Sequence, residues 1–353
     1  MSDYLDPLTA WPCDPPEGYR GQLEPDFQRR RAAIYSGLTP ADCTWYHSTE
    51  LPDGSVFEGD WDLRGGEQHY LGETSLAGKS VLEFGPASGH LTFWMEAQGA
   101  RVTAFEVGYD AVIHLVPPPA DGDVANAQAS LMAHTRRTTN AWWYLHRAHR
   151  SNARLVHGDL SQLPDDLGQY DVVALGSILL HVRDTFRALE QAASHAADTI
   201  MVTEPALAGL EGDEPLVRFW TNETDLGPSV TWWRFSPGAL STMLWRLGFT
   251  RTRVVRHTQR YRTSPGHFVE TPLFTVVARR STAPQTSMPD WMLEARQHQE
   301  QRARRLVDTE ARLSAANEQL ALLRDAATEL DNLRSTRTFR WTAPLRDAYR
   351  RLR

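Results

Sequence analysis

Residues 81–107 constrain the fold of this chain more than any other segment. A buried strand from Lys79 to Phe84 leads into a turn with glycine at both ends, Gly85-Pro-Ala-Ser-Gly89. A helix is expected from His90 to Gln98, and a second strand from Arg101 to Val107. A strand, a helix and a further strand in this order are typical of a βαβ unit, whose strands pair in parallel. The segment therefore predicts an α/β fold with a ligand site at the ends of the strands.

The alternation of strands and helices continues to residue 281 and predicts a doubly wound, mostly parallel sheet of the Rossmann-like kind. The expected elements after the first unit are a helix at 126–150, strands at 154–157 and 170–175, a helix at 184–196 and a strand at 199–203. Two antiparallel strands, at 250–255 and 273–279, are expected to close the sheet edge.

Composition and periodicity divide the rest of the chain. Pro284 and Pro289 interrupt a linker-like run, and a heptad pattern begins after it. The predicted organisation is an aromatic-rich N-terminal extension or lid (1–75), the α/β domain (76–281), a linker (282–289), a coiled-coil helix (290–334) and a basic amphipathic tail (335–353).

Charge and cysteine content exclude several classes of protein. The net charge is −7, and the acidic excess lies in residues 1–290, which makes this part a poor partner for nucleic acid. Cys13 and Cys43 are too few for a disulfide scaffold or a cysteine zinc cluster. No signal peptide is expected, and the longest apolar run, Val172–Leu180, is about half of a bilayer span. We expect a cytoplasmic protein that can also sit at the inner face of the membrane.

Acidic residues and glycines at the strand ends predict a nucleoside site. Glu83 lies in the first strand, and Gly85, Pro86 and Gly89 form the turn that opens a helix. Glu106 follows about 20 residues after the turn, where a carboxylate can bind both ribose hydroxyls. Asp159, after the third strand, is expected beside the base. The Gly-x-Gly-x-x-Gly pattern of a dinucleotide site is absent from the turn.

On these residues the chain resembles the class I S-adenosylmethionine-dependent methyltransferases over roughly residues 45–280. Their first motif is usually Glu/Asp-x-Gly-x-Gly-x-Gly, and Ala87 replaces the middle glycine here. The resemblance implies S-adenosyl-L-methionine as the cofactor. The runs WYHSTELPDGSVFEGDWDL, NAWWYLHRAHR, LVHGDL and YDVVALGSILLHVRDTFRALE are similar to the branch that includes tRNA wobble-uridine methyltransferases. The acidic body argues against a tRNA acceptor, so we interpret this similarity as a shared fold.

Further candidates lie outside the turn. His181 and Glu204, after the fourth and fifth strands, are candidate general bases, although a local hydrogen bond would also explain the histidine. The aromatic cluster Trp45, Tyr46, His47 and Trp61 can fold over the cofactor and offer aromatic faces to its sulfonium, or form the apolar edge of a lid. No metal site is predicted.

The C-terminal arm carries two patterns. Heptad positions a and d are mostly leucine or alanine from Leu306 to Leu330, which favours a coiled coil, possible self-association or a helix packed on its own body. The arginine- and aromatic-rich tail suits anionic lipid. Its run from Ser335 to Arg346 resembles the tails of bacterial surface-polysaccharide glycosyltransferases and their companion enzymes, which implies a glycosyltransferase or a membrane surface as partner.

These observations together predict O-methylation of a sugar hydroxyl in bacterial cell-surface polysaccharide or glycolipid biosynthesis. Two alternatives stay open. The first is a methyltransferase that acts on tRNA or a small metabolite, and the second is a non-catalytic binding or scaffold protein with the same fold.

Overall fold

An eight-stranded sheet organises the N-terminal part of the chain. The computed structural model describes residues 21–108, 123–161, 163, 167–219, 230–281 and 290–351, so the predicted linker 282–289 lies outside the described residues. The chain divides into two compact units, Met1–Pro289 and Asp290–Arg353.

The strands are β1 Thr49–Glu50, β2 Val56–Phe57, β3 Trp61–Asp62, β4 Ser80–Phe84, β5 Arg101–Val107, β6 Arg154–Gly158, β7 Tyr170–Gly176, β8 Ala196–Pro205, β9 Val217–Phe219, β10 Trp233–Phe235, β11 Arg251–Ser264 and β12 His267–Arg279. The helices are α1 Pro25–Ile34, α2 Glu67–Tyr70, α3 His90–Ala97, α4 Val124–His149, α5 Thr185–Ser194, α6 Pro237–Arg246, α7 Asp290–Ser335, α8 Arg337–Trp341 and α9 Ala343–Arg351.

The strand order in the main sheet is β3-β11-β12-β8-β7-β4-β5-β6. The five strands from β8 to β6 pair in parallel, whereas β12, β11 and β3 pair antiparallel to their neighbours. The order reverses at β4, between β7 and β5, and ligands bind at such a reversal in doubly wound sheets. The predicted mostly parallel, doubly wound fold is confirmed.

Helices cover both faces of the sheet. Successive side chains of a strand point to opposite faces, so each strand contributes residues to two apolar clusters. Val81 and Val102 pack in one apolar cluster with Trp142 of α4. Leu82 belongs to the other cluster, with Leu189 of α5 and residues of α6. This double burial explains why the parallel strands read as continuous apolar runs in the sequence.

The antiparallel hairpin is longer than predicted. β11 spans 14 residues and β12 spans 13, well beyond the expected ranges 250–255 and 273–279. The sequence of β11 is rich in arginine and threonine and lacks a continuous apolar run, so it does not indicate the full strand. Its side chains are mostly exposed or half-buried. Asp62 of β3 anchors this edge, since its carboxylate contacts Arg260 at 3.0 Å and Arg64 at 2.7 Å.

The N-terminal extension packs on the sheet. Arg31 of α1 is only 2% exposed and donates a hydrogen bond to the carbonyl oxygen of Leu155 in β6 at 3.1 Å. β3 adds a strand to the sheet edge through its pairs with β11. The described part of the extension is therefore built into the sheet domain.

The second unit consists of the long helix α7 and the short helices α8 and α9. At about 1.5 Å per residue, the 46 residues of α7 extend for about 69 Å. None of the described helices combines the length and apolar character needed to cross a bilayer.

Candidate functional site

The glycine turn between β4 and α3 is held by main-chain hydrogen bonds. The Gly85 N–H donates to the carbonyl oxygen of Phe105 at 2.9 Å, and the Gly89 N–H donates to that of Pro86 at 2.8 Å. Gly85 has φ +67° and Gly89 has φ +90°, in the left-handed region that side chains rarely adopt. The turn therefore needs glycine at both positions for its backbone geometry.

Packing gives a second reason for the two glycines. A Cβ atom on Gly85 would lie 2.2 Å from Cδ1 of Ile178. A Cβ atom on Gly89 would lie 2.6 Å from ring atoms of Phe93 and Trp142. The space beside each glycine is thus filled by the protein's own side chains.

Glu83 is the buried acid of the turn region. Its side chain is 5% exposed and accepts a hydrogen bond from the hydroxyl of Thr92, which in turn accepts the indole N–H of Trp142 at 3.2 Å. Burial raises the pKa of Glu83 to about 8, despite the bond from Thr92. A positively charged ligand group beside this carboxyl would favour its ionised form.

Glu106 and Asp159 lie at the ends of neighbouring strands. Glu106 is half-buried at the end of β5, and its Oε1 accepts the Val107 N–H at 2.8 Å. Burial raises the pKa of Glu106 to about 7, while main-chain bonds from Val107 and Ala87 oppose that rise. Asp159 follows β6, is exposed and accepts the Ser161 N–H at 2.8 Å.

A pocket opens where β4, β7 and β8 end. Its empty space, including the open mouth, is about 610 Å³. Glu83 and Gly85, at the end of β4, and Gly176 and Ser177, at the end of the neighbouring strand β7, are among its lining residues. The remaining walls include Tyr46, His47, Trp61, Tyr70 and Leu91.

His47 is a buried polar residue of the pocket lining, predicted from the sequence only as a member of the aromatic cluster. It is 6% exposed, and its Nδ1 is buried with no hydrogen-bond partner among the described residues. Burial, together with the nearby His90, lowers the pKa of His47 to about 3, so its ring is neutral at neutral pH. Its main-chain N–H donates to Oγ of Ser88 in the glycine turn at 2.9 Å.

A second histidine supports this wall. The His90 ring, at the start of α3, has its centroid 6.3 Å from that of His47. Its Nε2 lies 3.0 Å from Oε1 of Glu67, and both side chains are buried. Burial alone would raise the pKa of Glu67, but the interactions with His90 and the main-chain hydrogen bonds together outweigh it, and the pKa is lowered. The pair links a buried carboxylate to His90, the ring that neighbours His47.

Two tyrosines complete the polar lining. Burial raises the pKa of Tyr46 to about 12, and its hydroxyl hydrogen-bonds to the side chain of Trp61. Burial also raises the pKa of Tyr70, whose hydroxyl bonds to Ser177. A Cβ atom on Gly176 would lie 2.9 Å from the Tyr70 hydroxyl, so this glycine leaves room for it.

Trp45 lies in an aromatic cluster instead of the pocket lining. Its ring stacks on Phe57 with centroids 4.2 Å apart and meets Tyr144 edge-on. Its neighbour Tyr46 lines the pocket. Of the four cluster residues predicted over the cofactor, Tyr46, His47 and Trp61 therefore line the pocket and Trp45 does not.

His181 and Glu204 both lie near the pocket edge, outside its lining. The His181 ring is at the surface, and its Nδ1–H donates to the carbonyl oxygen of Val230 at 2.7 Å. Surrounding protein atoms lower the pKa of His181. Glu204 is 1% exposed; its Oε1 accepts the Leu179 N–H at 3.0 Å, and its Oε2 has no partner among the described residues. Burial raises the pKa of Glu204 to about 8.

Comparison with known proteins decides the family. A family model described as a methyltransferase domain matches residues 66–254, more than half of the chain. The chain belongs to this methyltransferase family. This match confirms the resemblance to class I methyltransferases and the prediction of a methyl-transferring enzyme at the level of the family. A domain of this class implies S-adenosylmethionine as the donor.

Solved structures are similar at low identity. Magnesium protoporphyrin IX methyltransferase from Synechocystis, with bound S-adenosylhomocysteine, is 16% identical over 61% of this chain and 80% of its own, with a TM-score of 0.34. A 1,6-didemethyltoxoflavin-N1-methyltransferase from Burkholderia thailandensis is 15% identical over 62% and 78%, with a TM-score of 0.37. The glycopeptide N-methyltransferase MtfA is 17% identical over 69% and 99%, with a TM-score of 0.36. No curated protein matches the sequence.

The site of this methyltransferase domain fits the donor in two respects. Adenosylmethionine carries a ribose diol and cationic groups, and the chain offers a half-buried carboxylate at the end of β5 and a buried one in β4. Glu106 accepts main-chain hydrogen bonds from Val107 and Ala87 and is held at the end of β5 by them. The raised pKa of Glu83, which lines the pocket, marks a carboxyl that lacks a cationic partner.

Proposed function

We propose that this methyltransferase acts on a sugar hydroxyl in the biosynthesis of bacterial cell-surface polysaccharide or glycolipid. The observation that supports an oxygen acceptor is the unpartnered Nδ1 of neutral His47 in the pocket wall. A neutral imidazole nitrogen can accept the proton of a hydroxyl. The glycan part of the proposal is supported by the resemblance of the tail.

The pocket walls suit a sugar ring. Tyr46, Trp61 and Tyr70 offer flat apolar faces with polar tips, and Ser177 adds a hydroxyl. Buried ligand sites generally combine such faces with a few fixed polar groups. We propose that these residues orient the acceptor, because positioning accounts for most of the rate gain in a displacement of this kind.

The donor, when bound, supplies an electrophilic methyl group on a sulfonium. In the proposed mechanism Glu106 binds the ribose hydroxyls, while Glu83 and the turn face the amino-acid end. His47 would accept the proton of the acceptor hydroxyl through its unpartnered Nδ1. His181 remains a proposed base for an acceptor that enters from the side of β7 and β8, and Glu204 would be one only in its ionised form, above its pKa of about 8.

Glycan analysis tests the proposal directly. In a strain that lacks this protein, we expect one envelope sugar to lose the mass of one methylene unit, because its methyl ether is not formed. Mass spectrometry of envelope glycans and of total tRNA nucleosides checks this. Expression of the wild-type chain should restore the lost mass, and His47→Ala should not.

A loss confined to tRNA nucleosides would contradict the glycan acceptor and support the RNA alternative. Unchanged masses in both fractions, together with no thermal shift on addition of adenosylhomocysteine, would support the non-catalytic alternative, because a ligand of the folded state must raise the unfolding midpoint.

We also propose that the tail places the enzyme at an anionic membrane surface. Trp341, Leu345 and Tyr349 follow one another at helical spacing and are 90%, 73% and 64% exposed. Arg346, Arg350 and other arginines accompany them on α8 and α9. An apolar face with arginines around it is typical of a helix that lies in a lipid interface. The side chain of Phe339 lies outside the described residues.

Vesicle binding tests this location. We expect the full chain to co-sediment with vesicles of phosphatidylcholine and phosphatidylglycerol and much less with phosphatidylcholine alone. Arg350→Gln with Arg351→Gln should weaken binding by about fivefold per arginine, since each contributes about 1 kcal/mol near an anionic surface. Trp341→Ala should also weaken it, whereas Phe219→Ala, an exposed aromatic residue outside the tail, should not. Equal binding to both vesicle types would contradict the proposal and leave a glycosyltransferase as the partner to test.

A further inference from the structure

The helix α7 carries an apolar seam that no described residue covers. The seam consists of heptad positions a (Leu306, Leu313, Leu320, Ala327) and d (Thr309, Ala316, Leu323, Leu330). The five leucines of this seam are between 47% and 67% exposed. Leucines that repeat at this spacing on an exposed helix are typical of a surface that another helix covers.

We infer that the seam pairs with the seam of a second copy of this chain in a two-stranded coiled coil. The order of large and small residues in the seam allows self-pairing over its whole length. In a parallel pair, each leucine meets its own counterpart. In a full antiparallel overlap, Leu306 meets Leu330, Leu313 meets Leu323 and Ala316 meets Leu320, so every leucine again finds an apolar residue.

The residues beside the seam are also self-complementary. In a parallel pair, Arg305 at position g faces Glu310 at position e of the second copy, and the next pairs along combine Arg312 with Asn317 and Gln319 with Arg324. In the antiparallel overlap, Glu310 faces Arg324. Like charges do not meet in either arrangement, and e/g charges of this kind select the partner of a coiled coil.

The seam ends where polar and charged residues occupy its heptad positions. N-terminal to it, the heptad positions that would continue the seam hold Gln299 and Arg302. C-terminal to it, Arg334 and Arg337 occupy them. The pairing region is therefore limited to residues 306–330, about 37 Å of helix. Its alanines and threonine make a modest interface, which should dissociate at low protein concentration.

Light scattering coupled to gel filtration tests the inference on the full chain. At micromolar concentration we expect a mass of twice 39.9 kDa for the wild type. Leu320→Asp places a charge in the seam and should give the mass of a single chain. The matched control is Leu322→Asp, because Leu322 is 69% exposed, lies two residues away and is outside the seam. It should keep the doubled mass.

Circular dichroism and thermal unfolding show whether both variants remain folded. A wild-type mass of 39.9 kDa at every concentration tested would overturn the inference, as would a doubled mass that persists in Leu320→Asp. Equal loss of the doubled mass in both leucine variants would also overturn it, because the seam would then have no special role.

Cross-linking places the contact independently of mass. In a chain with Cys13→Ser and Cys43→Ala, Ala316→Cys should form covalent dimers with a short bifunctional maleimide, since position 316 lies in the seam. Ala311→Cys, an identical exchange on the opposite side of α7, should not. Equal cross-linking at both positions would contradict pairing through the seam.

Discussion

Glutamine in place of Glu106 should weaken adenosylhomocysteine binding by about 100-fold. The carboxylate can accept both ribose hydroxyls, and hydrogen bonds to a charged group contribute about 1.5–3 kcal/mol, which corresponds to roughly 10- to 150-fold in Kd. Glutamine has the same size and can keep the bond to the Val107 N–H, so the fold should be unaffected. Isothermal titration of adenosylhomocysteine measures the change.

The control for this variant is Glu190→Gln on α5, an exposed residue away from the strand ends, which should bind as the wild type does. Asp159→Asn should have a smaller effect than Glu106→Gln, because the Asp159 side chain is exposed to water. Unchanged binding in Glu106→Gln would remove this residue from the donor site.

Replacement of Glu204 by glutamine should stabilise the domain at high pH. The folded-state pKa of Glu204 is about 8, whereas an unfolded glutamate has a pKa of about 4.3. The contribution of protonated Glu204 to the free energy of unfolding is complete below pH of about 4.3. It is lost as the pH rises through about 8, because a buried carboxylate must then form. Glu83, with a pKa of about 8, adds to the same trend.

Thermal unfolding between pH 4 and pH 9 measures this effect. Above pH of about 6.5, where buried histidines such as His47 are neutral in both the folded and the unfolded chain, the wild-type midpoint should fall as the pH rises, on account of these groups. Glu204→Gln should unfold several degrees higher than the wild type at the alkaline end and nearly together with it at the acidic end, since glutamine can still accept the Leu179 N–H. A variant that is less stable than the wild type at the alkaline end would mean that Glu204 is held ionised.

The centre of the sheet could be predicted from the sequence because its signals are local. β4, α3 and β5 each begin and end within about a residue of their expected bounds, since burial on both faces makes the strands continuously apolar. The glycine turn was equally clear, because two residues with positive φ leave a visible pattern of glycines.

The parts that the sequence did not reveal depend on contacts between distant residues. β11 extends beyond its apolar half because β3 and β12 pair with it, which no pattern within residues 256–264 indicates. α1 lacks apolar periodicity, and its position depends on the buried Arg31. His47 was predicted only as a member of an aromatic cluster, and its burial was not, since that burial comes from the fold and not from its neighbours in sequence.

The hydrogen bond from the His47 main-chain N–H to Ser88 joins the N-terminal extension directly to the glycine turn of the candidate site. The family match begins at residue 66, yet Tyr46, His47, Trp61 and Leu63, which line the pocket, come before it. It also ends at residue 254, before β12, the strand that joins β11 to β8. A fragment trimmed to the matched residues would keep the glycine turn but lose these four lining residues and β12.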